Sequence, residues 1–205
     1  MRKLNLFVLC ITLSFSAFAV QQNTYDRYPW AVTYYYGITG SDALIRIVEG
    51  NFHRWPEHIQ SLELGYTLRK TNVIRQVVQP LLSSVQIALN FTQRNDKSHH
   101  YIYEIDPYIA ARWENFPWDE YVKTSFAVGE GISYASAVPS LEKKCNDDTK
   151  RLLNYLMLEA TFALPQHPNL ELIARIHHRS GAYGLYHAGN TGSNVVGLGI
   201  RYLFD

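Results

Sequence analysis

Two residues suited to acyl-transfer chemistry, His178 and Ser180, stand two apart near the C-terminal end of one segment. A serine hydroxyl becomes a nucleophile when a neighbouring base takes its proton, and histidine suits that task near neutral pH. The segment from Glu171 to Ala182 alternates in character. Its odd members, Glu171, Ile173, Arg175, His177 and Arg179, are mostly polar, whereas its even members Leu172, Ala174 and Ile176 are apolar until His178 and Ser180 appear. Successive strand side chains point to opposite faces, so the histidine and the serine share the apolar face. Polar groups facing hydrocarbon cost free energy unless they find a partner. The spacing alone leaves two readings open: an esterase pair, or two polar residues tolerated at a headgroup boundary.

The elements that must carry this pair share its period. Leu62, Leu64, Tyr66 and Leu68 oppose Glu63, Gly65, Thr67 and Arg69; Tyr101, Tyr103, Ile105, Pro107, Ile109, Ala111 and Trp113 oppose Glu104, Asp106, Tyr108 and Arg112. The same alternation runs through residues 85–92, 122–129 and 196–205. A period of two sustained over such segments is the signature of barrel strands. It predicts eight strands, at about 29–39, 58–70, 83–92, 100–113, 121–134, 152–164, 169–181 and 193–204, of which the first and sixth alternate least cleanly. Asp42 to Gly50 and Asn72 to Leu82 are expected to be helical or irregular connections. The expected fold class is all-β, an eight-stranded antiparallel transmembrane β-barrel of the outer membrane, the location resting also on the two ends of the chain. Eight strands leave an interior that side chains fill. The polar faces supply Glu63, Asp106, Arg112, Glu159, Arg175 and Arg201 to pair there, which argues against a diffusion pore.

The N-terminus adds to this expectation. Arg2 and Lys3, an apolar run from Leu4 to Phe18 and the sequence Ala17-Phe18-Ala19 read as a secretory signal peptide, leaving residues 20–205 as a single barrel domain. The mature chain keeps one cysteine, Cys145, and so has no intramolecular disulfide. Fifteen tyrosines, nine phenylalanines and four tryptophans fit a barrel with aromatic girdles, although a secreted sandwich would share them. A net charge of +1 with no basic run gives nothing for nucleic acid to bind. The closing Gly199-Ile200-Arg201-Tyr202-Leu203-Phe204-Asp205, with aromatics spaced by two, is similar to the C-terminal assembly signal of outer-membrane barrels. With both termini periplasmic, His178 and Ser180 fall at the outer end of strand seven and face the outer leaflet.

Three stretches then carry a resemblance. Gly129-Glu130-Gly131-Ile132-Ser133-Tyr134-Ala135-Ser136, Arg175 through Gly184, and Gly192-Ser193-Asn194 with the closing Gly199-Ile200-Arg201-Tyr202 resemble the lipid A 3-O-deacylase (PagL) family, also called acyloxyacyl hydrolase-like. The resemblance is sharpest over residues 121–205. It implies an eight-stranded outer-membrane barrel that removes an ester-linked acyl chain from lipid A, with His178 and Ser180 as its His-x-Ser motif. His177 has the wrong parity and is expected inside or at the rim.

The chain departs from that pattern at the third catalytic member. The family completes its triad with a glutamate on the last strand, four residues after a loop asparagine that stabilises the oxyanion. No glutamate lies between Ala182 and Asp205; Asn194 stands in its place, with Asn190 four residues before it. A hairpin centred near His187 would set Asn194 across from Ser180 and diagonal to His178. Asparagine orients the histidine in Cys-His-Asn proteases but brings no charge to stabilise imidazolium. Glu130, of the same parity as the outward face of strand five, is the alternative orienter, about 10 Å away by strand spacing. Gly184 is a candidate backbone donor to the oxyanion.

The expected function is a serine esterase acting on lipid A, or lipopolysaccharide, in the outer leaflet, with neither metal nor organic cofactor. His53, His58 and His99-His100 lack metal-ligand spacing. The chain is expected to be membrane-embedded, and the sequence leaves a homodimer open. A non-catalytic envelope or adhesive barrel of the same fold and a soluble periplasmic sandwich are the alternatives.

Overall fold

The computed structural model describes residues 23–205 except Pro80, His99 and Asn190; the expected signal peptide lies outside the described residues. Eight strands follow in chain order: β1 (Trp30–Gly40), β2 (Arg54–Thr67), β3 (Ser84–Asn95), β4 (Tyr101–Trp113), β5 (Lys123–Ala135), β6 (Leu152–Ala163), β7 (Leu170–Ser180) and β8 (Gly192–Phe204). Each pairs antiparallel with the next, and β8 returns to β1, so the sheet closes into a barrel. All eight expected strands form, the first and sixth included. β2 begins four residues early and β3 runs three residues beyond its expected end. The two doubtful connections hold short helices, α2 (Leu44–Val48) and α3 (Val73–Val78).

Alternation decides the two surfaces. Leu62, Leu64, Ile87, Ile105, Ile109, Val128, Leu172, Leu198 and Ile200 face outward and are exposed as a continuous aliphatic belt. Aromatic residues flank it at both ends, with Trp30, Trp113, Phe126 and Tyr202 near the chain termini and Tyr36, Tyr101, Tyr103 and Tyr134 at the far end. A belt of this kind between two aromatic girdles is the outer surface of a membrane barrel.

The inside is charged and closed. Glu159 accepts from Arg112 Nη2 (2.7 Å), Arg175 Nε (2.9 Å) and Arg201 Nη1 (2.7 Å), each pair fully or almost fully buried. Glu63 pairs with Arg175 and Arg201, and Glu171 with Arg201 and the Tyr25 hydroxyl. Tyr25 belongs to α1 (Thr24–Arg27), which tucks its ring into the near end beneath the Arg112 guanidinium, 4.3 Å away. Glycine makes room for the large rings: a Cβ at Gly129 would meet the Tyr108 ring at 2.7 Å. At the far end α4 (Ser140–Cys145) drops Glu142 into the mouth, where it accepts from Arg179 Nε (2.9 Å) and Ser193 Oγ (2.7 Å). Both mouths are therefore plugged. Of the six charges expected to pair inside, only Asp106 stands apart from this network, bonded instead to Asn90 and Ser133.

Connection lengths do not distinguish the two ends. The β3–β4 link at the far end is only residues 96–100, whereas the β2–β3 connection at the near end is residues 68–83. The difference arises because α3 seals the near side, its Arg75 bonding the Leu68 and Ser83 carbonyls.

Because Glu159 serves three guanidiniums, Glu159→Ala strands buried charge, and such losses cost about 3–5 kcal/mol. Urea unfolding of the refolded barrel in detergent micelles is expected to show a loss of that size, and heat-modifiable gel migration to convert at a lower temperature.

Candidate active site

The β7 ladder decides which side chains meet on the outer wall. His178 pairs with Leu156 on β6 and Asn194 on β8; Ser180 pairs with Asn154 on β6 and Gly192 on β8. The turn is thus tighter by two residues than a hairpin centred near His187, and Asn194 faces His178 directly rather than diagonally. The reason lies at Gly192. A Cβ there would meet the Arg179 carbonyl oxygen at 2.5 Å, so opposite Ser180 the two backbones come too close for any side chain.

His178 Nδ1 lies 2.6 Å from Asn194 Oδ1. The amide's other end donates from Nδ2 to the backbone carbonyl of Asp42, at 2.8 Å. That second bond fixes which way the amide points, since flipping it would set oxygen against oxygen. Oδ1 can only accept, so Nδ1 of the imidazole carries a proton and Nε2 is left as the base. Asn194 has the outward parity yet is only 6% exposed, because the β1–β2 loop lies over it.

That loop is clamped at its own base. The Asp42 carboxylate accepts the His53 backbone N–H (2.5 Å) and lies 2.9 Å from His53 Nδ1, while Ser41 N donates to the His53 carbonyl (2.9 Å). The His53 backbone N–H, then its imidazole, hold the Asp42 carboxyl below its ordinary value. Nothing in the sequence pattern linked Asp42 or His53 to the pair on β7, because only barrel closure sets the loop after β1 beside β8.

The remaining candidates divide. Ser180 is half-buried on the same outward face as His178, two residues on; among the described residues no hydrogen bond joins its Oγ to the imidazole. Glu130 faces outward in the same cross-strand row, but Leu156 of β6 stands between it and His178. Two strand spacings are about 10 Å, too far for Glu130 to orient the ring. The Gly184 N–H is already donated to the Gly181 carbonyl (3.0 Å), within a short 3-10 turn, and is not free for an oxyanion. His187 sits exposed in the same loop at φ 51°, its backbone N–H bonded to Gly184, and does not join the site. Asn190 lies outside the described residues. His177 is fully buried inside the barrel, as its parity requires. The residue missed is Asn154. It is the one amide in the outward row Leu152, Asn154, Leu156, Leu158, and it stands directly across from Ser180.

No family model matches the chain, and no curated protein matches it by sequence. Among solved structures the chain is similar to the outer membrane enzyme PagL, with a TM-score of 0.58 and 15% identity over 84% of this chain and 98% of that one. The fold is that of an outer-membrane barrel. The chain is also similar to Neisserial surface protein A (TM-score 0.49, 13% identity, 85% of this chain and 96% of that one). A designed transmembrane β-barrel matches at a TM-score of 0.45 with 11% identity, over 86% of this chain and 96% of that one. At these identities the likeness speaks for architecture alone.

Two outcomes follow from the site's hydrogen bonds. In micelles, 15N spectra of neutral His178 are expected to show the proton on Nδ1, and Asn194→Leu to return the ring to a mixture of tautomers. Asp42, with its folded pKa depressed, stabilises the loop clamp fully above the ordinary aspartate range and loses it only as pH falls through the lowered value. The 13C shift of the Asp42 carboxyl is therefore expected to hold its ionised value through the ordinary aspartate range and to move only below it.

Proposed function

We propose that the chain spans the bacterial outer membrane with its termini inward, and acts there as a serine esterase that removes an ester-linked acyl chain from lipid A in the outer leaflet. The observation that carries this reading is the hydrogen bond from His178 to Asn194, made on the outward apolar wall two residues from Ser180. A histidine held by its Nδ1, with Nε2 free beside a serine, is the arrangement that nucleophilic acyl transfer needs. The fold supports the reading because an acyl chain in the membrane lies against the wall that carries the pair.

In the proposed reaction Ser180 Oγ attacks the ester carbonyl while His178 Nε2 takes the hydroxyl proton. The carbonyl becomes a tetrahedral oxyanion, for which the Asn154 amide, paired across from Ser180 on the neighbouring strand, is a donor; Asn190 remains the sequence-based candidate. Collapse breaks the bond to the sugar oxygen, which leaves with the proton from His178. Water, deprotonated by the same Nε2, then releases the fatty acid from Ser180. Asn194 holds the imidazolium by its Nδ1–H but adds no negative charge.

That missing charge and the unmade bond between Ser180 and His178 favour a second reading, a structural or adhesive barrel that keeps the motif without turnover. Catalytic hydrogen bonds in free enzymes are often long and tighten only with substrate, so the open Ser180 is compatible with either.

Mass spectrometry of lipid A from cells expressing the chain decides between them. The wild type is expected to yield a species lighter by one acyl chain, and Ser180→Ala to yield none. Asn194→Leu is expected to lower turnover at least about a hundredfold, by analogy with loss of a triad's orienting member. Asn154→Leu, removing an oxyanion donor, should cost on the order of 10²-fold in kcat. Unmodified lipid A with folded wild-type protein in the membrane would sink the esterase reading.

A further inference from the structure

We propose that the barrel interior holds a first-row divalent cation such as Zn²⁺, bound by His177, Glu104 and Asp106. These residues lie on the other side of the wall from His178 and take no part in the proposed esterase site. Glu104 and Asp106 are alternate, inward residues of β4, and His177 reaches them from β7 across the barrel. One ligand-type atom from each of the three lies within 4.8 Å of the other two. All three residues are at most 1% exposed.

Three observations point to an occupant. First, Glu104 Oε2 and His177 Nε2 are both buried without a hydrogen-bond partner, although they lie only 3.2 Å apart. That spacing is the edge expected between two ligands of one metal, since bonds of about 2.0–2.1 Å at tetrahedral angles put ligand atoms about 3.3 Å apart. Asn90 Oδ1 and the Tyr155 hydroxyl are unpartnered in the same region; Asn90 bonds Asp106, and the Tyr155 ring packs edge-on against His177 at 4.8 Å. Buried polar atoms are rarely left unsatisfied, and a cluster of them asks for an explanation.

Second, the charge does not balance there. In the near half of the interior Glu63, Glu159 and Glu171 meet Arg112, Arg175 and Arg201, three against three. In the far half the buried carboxylates Glu57, Asp96, Glu104, Asp106 and Glu142 meet only two guanidiniums, Arg94 and Arg179. That surplus of carboxyl groups over guanidiniums in a plugged, low-dielectric interior is costly to ionise, and a divalent cation at Glu104 and Asp106 offsets it.

Third, the surrounding bonds prepare the ligands. His177 Nδ1 sits 3.0 Å from the Tyr35 hydroxyl, which leaves Nε2 as the coordinating atom. Arg94 Nε holds Glu104 Oε1 at 2.6 Å, leaving Oε2 free, and Asn90 Nδ2 holds Asp106 at 2.8 Å. One imidazole nitrogen with two carboxylates suits a first-row transition ion better than Ca²⁺, which takes six to eight oxygens. Such an ion would staple β4 to β7 from inside.

The full mature chain, refolded in detergent with either ZnCl₂ or EDTA and then dialysed, provides the test. Metal analysis of the Zn²⁺-refolded wild type is expected to find about one ion per chain, as for a structural site formed on folding. His177→Gln and Asp106→Asn are expected to lower that content at least tenfold, whereas His178→Gln keeps it. The wild type should also unfold at higher urea when refolded with Zn²⁺ than with EDTA. The proposal is overturned if the folded wild type carries no more Zn²⁺ than His177→Gln and its urea midpoint is the same in Zn²⁺ and EDTA; a direct contact of His177 with Glu104 then accounts for the cluster. Should the interior variants fail to fold, the wild-type metal content and the Zn²⁺–EDTA comparison still decide.

Discussion

Closure of the sheet through β8 and β1 is the constraint on which the rest of this molecule depends. The ladder runs from Trp30 opposite Phe204 to Gly40 opposite Asn194, and it removes the last open edge. Unpaired strand edges are intolerable in hydrocarbon, where no water can bond the free N–H and C=O groups. Closing the edge has a local consequence as well. It brings the loop that follows Gly40 next to Asn194, and only there can the Asp42 carbonyl take the Asn194 amide proton.

That contact bears on what an asparagine can do in place of a carboxylate. In a serine protease, replacing the triad aspartate by asparagine lowers kcat about 10⁴-fold because the amide holds the histidine in the wrong tautomer. Here the Asp42 carbonyl consumes the amide's donor end, so Oδ1 is what His178 meets, and in the proposed esterase site this sets the tautomer that leaves Nε2 as the base. The charge of a carboxylate is what the amide does not supply. A carboxylate about 4 Å from an imidazolium is worth about 4 kcal/mol at an effective dielectric of 20, which sets the scale of the deficit.

Inside and outside of the wall are coupled through β7. Its odd residues Glu171, Arg175, His177 and Arg179 are locked into buried pairs and hydrogen bonds with β1, β2, β6, β8, α1 and α4. Those contacts hold the register that displays the even residues His178 and Ser180 outward. A shift by one residue would drive the charges into the belt and the site into the core. The ion pairs inside therefore specify the position of the outer site, whatever their net contribution to stability.

Parity, strand number and the outward face shared by His178 and Ser180 were legible in the chain, because a period of two is local and each residue's face follows from its neighbours. The sequence by itself determined eight strands, an apolar outer belt, a charged interior and the wall on which the histidine and serine stand. Parity is blind to shifts of two residues, so it offered the diagonal partner where the structure has Asn194 facing His178 directly. Glu130 matched by type and parity and Gly184 as a loop backbone donor, but strand spacing and a competing turn bond removed them. Asp42, Asn154 and the meeting of Glu104, Asp106 and His177 were decided only by tertiary structure. Each depends on which strands are neighbours or face one another across the barrel, and closure, rather than any local pattern, decides that.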